Sequence, residues 1–181
     1  MTRAASAATL TRVNLAELLT VTALVGLTLS GTLAALQQGL QAYTVGAARV
    51  EAQQNGRIAL ERLTREIRGA GAGGAAFDAI AVAERERIVL QFDLDGDGAI
   101  TRRGETVTWR LADTVLRRDA GGGAQPVVNG VRRLVLQYLD ARDQPARAPG
   151  EVRTVAITLV TEGEGGTGLT TLTTRVRSRN R

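Results

Sequence analysis

Within "DLDGDGAITRRGE", aspartates recur at 93, 95 and 97, followed by Gly98, Ala99 and Glu105. Oxygen ligands at alternate positions of a tight loop can converge on one Ca²⁺. In the spacing of an EF-hand-type loop, Asp93, Asp95 and Asp97 take positions 1, 3 and 5. Gly98 then permits the sharp turn, and Ala99 stands where a backbone carbonyl is the ligand. The twelfth position is Gly104, so the candidate bidentate ligand, Glu105, comes one residue late. No helices flank the loop, because "IVLQF" before it and "TVTWRL" after it read as strands. A solvated Asp/Gly hairpin turn is the competing reading of the same residues.

A second carboxylate, Glu17, opens the run "ELLTVTALVGLTLSGTLAAL". Asn14 lies three residues earlier, the spacing of a capping box. In that arrangement Glu17 accepts the Asn14 backbone N–H and sits at the positive end of the helix dipole. A charge at the centre of a membrane helix costs roughly 2.5 kcal/mol or more, and less near the interface. The sharper reading is therefore a carboxylate awaiting a partner charge from another subunit. The two roles can coexist.

Other chemistries are closed by composition. With no His and no Cys, the chain has no disulfide, no imidazole base and no His or thiolate metal site. Its serines are Ser6, Ser30 and Ser178, so a Ser–His–Asp hydrolase is excluded. An enzyme is not expected. All 23 basic residues are Arg and are scattered along the chain, without a block of like charges. Aromatics at 3% provide no stacking platform, and a nucleic-acid partner is not expected.

The elements that must position these residues follow from periodicity. Residues 1–12 form a small, polar, basic leader-like segment containing Arg3 and Arg12. From Leu18 to Leu36 no residue carries a formal charge, and as a helix this stretch rises roughly 28 Å, a bilayer's hydrocarbon thickness. The first charge after it is Arg49, so the positive-inside rule keeps the N-terminus cytoplasmic. The run exceeds the apolar core of a cleaved signal, about 7–15 residues, which favours a retained anchor. A long helix over 13–68 is expected, with its membrane part at about 15–40. Its second half is amphipathic through Leu60, Leu63 and Ile67, with Glu61 and Arg65 as an i,i+4 pair. A glycine-rich linker over 69–79 ends the helix, and short β-branched runs fill a globular domain over 80–181. The fold expected is α+β, an antiparallel sheet packed on the helix stripe. The tail "RVRSRNR" reads as the wet face of a last strand and a frayed end.

A basic leader, an apolar helix with an early Glu, a polar extension and then a sheet resemble the type IV pilin-like proteins. "RVNLAELL" aligns Val13, Asn14, Leu15, Ala16 and Glu17 with that family's first mature residues. "AQQNGRIALERLTREIRGAG", "FDLDGDGAITRRGETVTWRL" and "TVLRRDAGGGAQPVVNGVRRLVLQYLDA" are similar to PilW-type minor pilins and GspJ-type pseudopilins. The resemblance implies a pilin-like fold and a structural subunit of a type IV pilus, a type II secretion pseudopilus or a DNA-uptake filament. It also implies an anchor in the bacterial inner membrane and an extracytoplasmic sheet domain. Partners would be other pilin-like subunits, met through the N-terminal helix, with Glu17 pairing with a neighbour's terminal amine. Arg12 stands where the family carries Gly, which counts against cleavage by a prepilin peptidase between Arg12 and Val13. If the chain is uncut, Arg12 itself is a candidate partner for Glu17. A bitopic Ca²⁺-binding or sensor domain that never assembles is the rival expectation.

Overall fold

The structure is a computed structural model that describes residues 14–73, 77–163 and 166–180. It is α+β: one helix, α1 (Leu15–Gly69), precedes eight strands in two antiparallel sheets. The strands are β1 (Ile80–Ala83), β2 (Arg87–Gln91), β3 (Thr106–Ala112), β4 (Val115–Asp119), β5 (Gln125–Val128), β6 (Val131–Leu139), β7 (Thr154–Gly163) and β8 (Thr167–Arg177). The chain divides into two compact units, Met1–Thr44 and Val45–Arg181.

In the first unit, α1 is long and apolar enough to cross a membrane. Leu18, Leu24, Leu27 and Leu33 are all exposed. The five hydroxyls of the apolar run are satisfied within the helix. Thr20, Thr22, Thr28, Ser30 and Thr32 each donate to a carbonyl three or four residues earlier, at 2.7–3.1 Å. A lipid environment demands such internal pairing, because it contains no water to take those protons.

In the second unit, α1 becomes one-sided: Gly56, Ala59, Leu60, Leu63 and Ile67 are buried. Gly56 marks a close approach, since a Cβ there would lie 2.7 Å from Leu172 Cδ1 and 3.3 Å from Thr161 Cγ2. The ion pair on this stretch is Arg62–Glu66, at 3.6 Å, one residue on from the expected Glu61–Arg65. Glu66 faces the sheet. Its carboxylate accepts the Trp109 indole N–H at 2.6 Å and the Arg118 Nε–H at 2.8 Å. Trp109 and Arg118 are directly opposed on β3 and β4, so one helix carboxylate satisfies two neighbours of the sheet.

Where one sheet was expected, there are two. β1 to β5 form a meander of five strands in sequence order, and β6, β7 and β8 form a second. The break falls at Asn129–Gly130, after a four-residue β5 that contains Pro126. Proline cannot donate to a ladder, which suits β5 to the end of its sheet. Both sheets line one core with α1, made from Ile88, Leu90, Val107 and Trp109 on one side and Leu134, Leu136, Ile157 and Leu159 on the other. Hydrogen bonds tie them together: Val131 N–H donates to Thr114 O, Leu136 N–H to Arg85 O, and the Tyr138 hydroxyl to Glu84 O. Burial pushes the Tyr138 phenol above its ordinary pKa. A register shift between Val131 and Arg133 turns both Arg132 and Arg133 to solvent, where Arg132 pairs with Glu162.

The described part of the glycine-rich stretch is bound into the fold. Ala70 and Ala79 are buried, and Gly71 N–H donates to Gln91 O at 2.9 Å. The tail is not frayed through Asn180. Ser178 N–H donates to Arg153 O, and the Asn180 amide donates to the carbonyls of Gly69 and Ala70. Gly69 is the last residue of α1 and Ala70 the one after it, so the tail amide is tied to the helix end.

Candidate functional site

The acidic loop joins β2 to β3, closed at its base by Phe92 N–H donating to Glu105 O at 2.8 Å. Its frame is built from carboxylates and backbone N–H groups. Asp93, only 6% exposed, accepts Gly96 N–H at 2.6 Å on one oxygen and Gly98 N–H at 3.0 Å on the other. Asp95 accepts from Asp97 N–H and Asp97 from Ala99 N–H, two successive side-chain turns.

Glu105 is fully buried. One of its oxygens accepts Leu94 N–H at 3.3 Å, and the other accepts Thr101 and Arg102 N–H at 3.0 and 2.7 Å. A buried carboxylate needs such donors, since leaving it bare in a low dielectric is costly. Three donors spread over the loop fix its path from within.

The same donors set the acid–base behaviour. Arg102 N–H is the strongest influence on Glu105, followed by opposing desolvation, and the carboxyl lies below its ordinary 4.5. For Asp93, desolvation raises the pKa, but the Gly98 and Gly96 N–H groups outweigh it and the carboxyl lies below 3.8. Both native values are depressed, so the unfolded chain binds more protons and stability rises with pH through this window. Their contribution is complete above the unfolded values and is lost as pH falls through the native ones. Limited proteolysis of the 94–104 segment is therefore expected to accelerate as pH drops below 4.5. In Glu105→Gln the segment is cut faster at neutral pH, and the acid dependence shrinks.

The loop brings together three of the sequence-predicted ligands. One carboxylate oxygen each of Asp93, Asp95 and Asp97 lie within 4.8 Å of one another. Such a set is chemically suited to a hard divalent cation. Asp95 also pairs with Arg102 Nε at 2.5 Å, a competing internal cation. Glu105 is not in that group, since it spends both oxygens on backbone donors. Ala99 enters the frame through its N–H. The role of Glu105 had one signal in the sequence: an acid one residue out of ligand register, directly before an alternating strand.

At the other candidate site, Asn14 holds the N-cap position through its backbone. Its carbonyl accepts Glu17 N–H at 2.9 Å and Leu18 N–H at 3.1 Å. Among the described residues no side-chain capping bond joins Asn14 and Glu17, and both are exposed. Arg12 and Val13, the candidate partner and processing site, lie outside the described residues. No protein-family model matches this chain, and no curated protein matches it in sequence.

Proposed function

We propose that this chain is a minor pilin or pseudopilin, a membrane-anchored structural subunit that joins similar helices in a filament. One observation carries the reading: Glu17, with no side-chain partner among the described residues, opens an exposed apolar helix whose hydroxyls are internally satisfied. Helices in lipid associate through close packing at small residues and through polar contacts, since lipid is as apolar as leucine. Gly26 and Ser30 form a small-x₃-small pair, and a Cβ at Gly26 or Gly31 would meet open space. Packing then supplies affinity, while a carboxylate that finds a neighbour's cation supplies register. Arg12 or a terminal amine is that cation. The basic leader places the N-terminus in the cytoplasm and the sheet unit on the outer side of a bacterial inner membrane.

In-membrane crosslinking of the full chain with pilin-like partners tests this. Glu17→Leu is expected to lower the crosslinked fraction about tenfold, the effect of losing about 1–2 kcal/mol of polar contact in lipid. Glu51→Leu, which removes an exposed acid beyond the apolar run, is expected to leave it unchanged. Crosslinks that survive Glu17→Leu would reject the register role. They would favour the second reading, a non-assembling membrane-anchored Ca²⁺-binding domain, whose supporting observation is the three clustered aspartate oxygens.

A further inference from the structure

On the outer face of the five-stranded sheet, three arginines stand side by side. Arg87 on β2 is directly opposite Arg110 on β3, and Arg110 is directly opposite Arg117 on β4. Like charges directly opposed across strands are destabilising, so this row works against folding. Neighbouring strands lie about 4.8 Å apart, so the row spans roughly 10 Å, within which flexible Arg side chains can converge over Arg110.

Little in the fold neutralises them. Arg87 has one loose pair, Nη1 to Glu84 at 3.8 Å, and both side chains are about half exposed. Arg117 Nη1 donates to Ala124 O at 3.2 Å, a neutral acceptor. The Arg110 side chain has neither an ion pair nor a hydrogen bond among the described residues. The three arginines line an open cavity of ≈ 370 Å³ together with Thr108 and Asp119. Asp119, the one acid of that lining, turns one oxygen to its own turn, where it accepts Gly121 and Gly123 N–H. The lining carries a net charge of +2, three guanidinium groups against one carboxylate.

We propose that Arg87, Arg110 and Arg117, with the Thr108 hydroxyl, bind a phosphate group presented as a monoester. Guanidinium forks match the paired oxygens of phosphate, and charge-assisted bonds of this kind are about twice as strong as neutral ones. A phosphate monoester carries about −1.5 to −2 at neutral pH, which balances the lining. A carboxylate, with one charge and two oxygens, leaves a guanidinium uncompensated. The cavity lies at the small end of ligand sites, about 300–1,000 Å³, so it suits the phosphate and its immediate ester. Without an aromatic in the lining, recognition rests on the phosphate and not on an attached base.

The test is isothermal titration of the full chain in neutral detergent. The probes are adenosine monophosphate and dihexanoyl phosphatidic acid, one phosphomonoester on a soluble nucleoside and one on a lipid. Saturable binding is expected, at least about tenfold weaker in Arg110→Gln and unchanged in Arg133→Gln, which removes an equal charge from the other sheet. Response to the first probe alone points to a soluble ester and to the second alone to a lipid headgroup; response to both shows that the phosphate itself is read. Because Arg110→Gln relieves like-charge repulsion, its ligand-free melting temperature is expected not to fall. Should it fail to fold, Arg87→Gln carries the same comparison. The proposal is overturned by an absence of saturable binding, or by equal weakening in Arg133→Gln. A ten-residue polyglutamate that binds more tightly than either probe would also overturn it, assigning the row to an acidic protein partner.

Discussion

Trp109→Ala is expected to destabilise the Val45–Arg181 unit by about 3–5 kcal/mol, the range for truncating a buried aromatic. Trp109 is fully buried at the centre of β3, flanked by Ile88 and Arg118 on the adjacent strands. Truncation opens a cavity in the core to which Leu63 and Ile67 of α1, also fully buried, belong. It also removes the indole donor from Glu66, leaving one oxygen of a largely buried carboxylate to Arg62 and Arg118. At roughly 2–4 °C per kcal/mol for a unit of this size, the melting temperature is expected to fall on the order of 10 °C. Circular dichroism of the sheet signal measures this directly, because the variant lacks the chain's one Trp.

Trp109→Phe separates the two contributions. It keeps most of the ring but not the N–H, and a loss of about 1–3 kcal/mol is expected from the orphaned acceptor. Combined with Glu66→Ala, the losses are expected to be less than additive, because either change alone already breaks the bond. Full additivity would show that the Trp109–Glu66 contact contributes nothing to the seam between helix and sheet.

Gly130→Ala is the second large effect. Gly130 sits where the chain leaves the first sheet for the second, with φ 71°, a left-handed conformation that costs an L-residue roughly 1–2 kcal/mol. A Cβ there would lie 2.7 Å from Glu162 O, a backbone atom that cannot swing away. Glu162 N–H donates to Gly130 O at 2.8 Å, so displacing one strand breaks the contact that joins β7 to the turn. Overpacking of this kind adds typically about 1–3 kcal/mol. Gly96→Ala is the matched control: its φ of 80° imposes the same conformational cost, but a Cβ would meet nothing within 4 Å. Urea unfolding is expected to show Gly130→Ala losing about twice as much as Gly96→Ala. Equal losses would mean that the carbonyl contact relaxes freely.

The seam explains why part of this protein was legible and part was not. The helix was readable because its signals are local: an uncharged apolar run, no proline, and then Leu60, Leu63 and Ile67 on one face. The runs on either side of the acidic loop, which form β2 and β3, were readable for the same reason, as short β-branched stretches. β1 and β5 carry no such signal, because they are four residues each, too short for a period to emerge, and β5 contains Pro126. The division into two sheets was hidden as well, since it depends on one backbone angle at Gly130 and on which strand edges meet.

By itself, the sequence determined the chemistry that is possible: carboxylates and guanidinium groups as the charged side chains with no imidazole, ammonium or thiol, an apolar helix of membrane length, and an acidic turn between two strands. These follow from residue type and spacing, which tertiary contacts cannot change. Only the tertiary structure decided what each charge does. It placed Glu66 between Trp109 and Arg118, 43 and 52 residues away in sequence. It turned Glu105 inward onto backbone donors, because a buried carboxylate must find N–H groups wherever the loop presents them. It also aligned Arg87, Arg110 and Arg117 in one row, which no single strand encodes, because register between strands is settled by the faces they bury together.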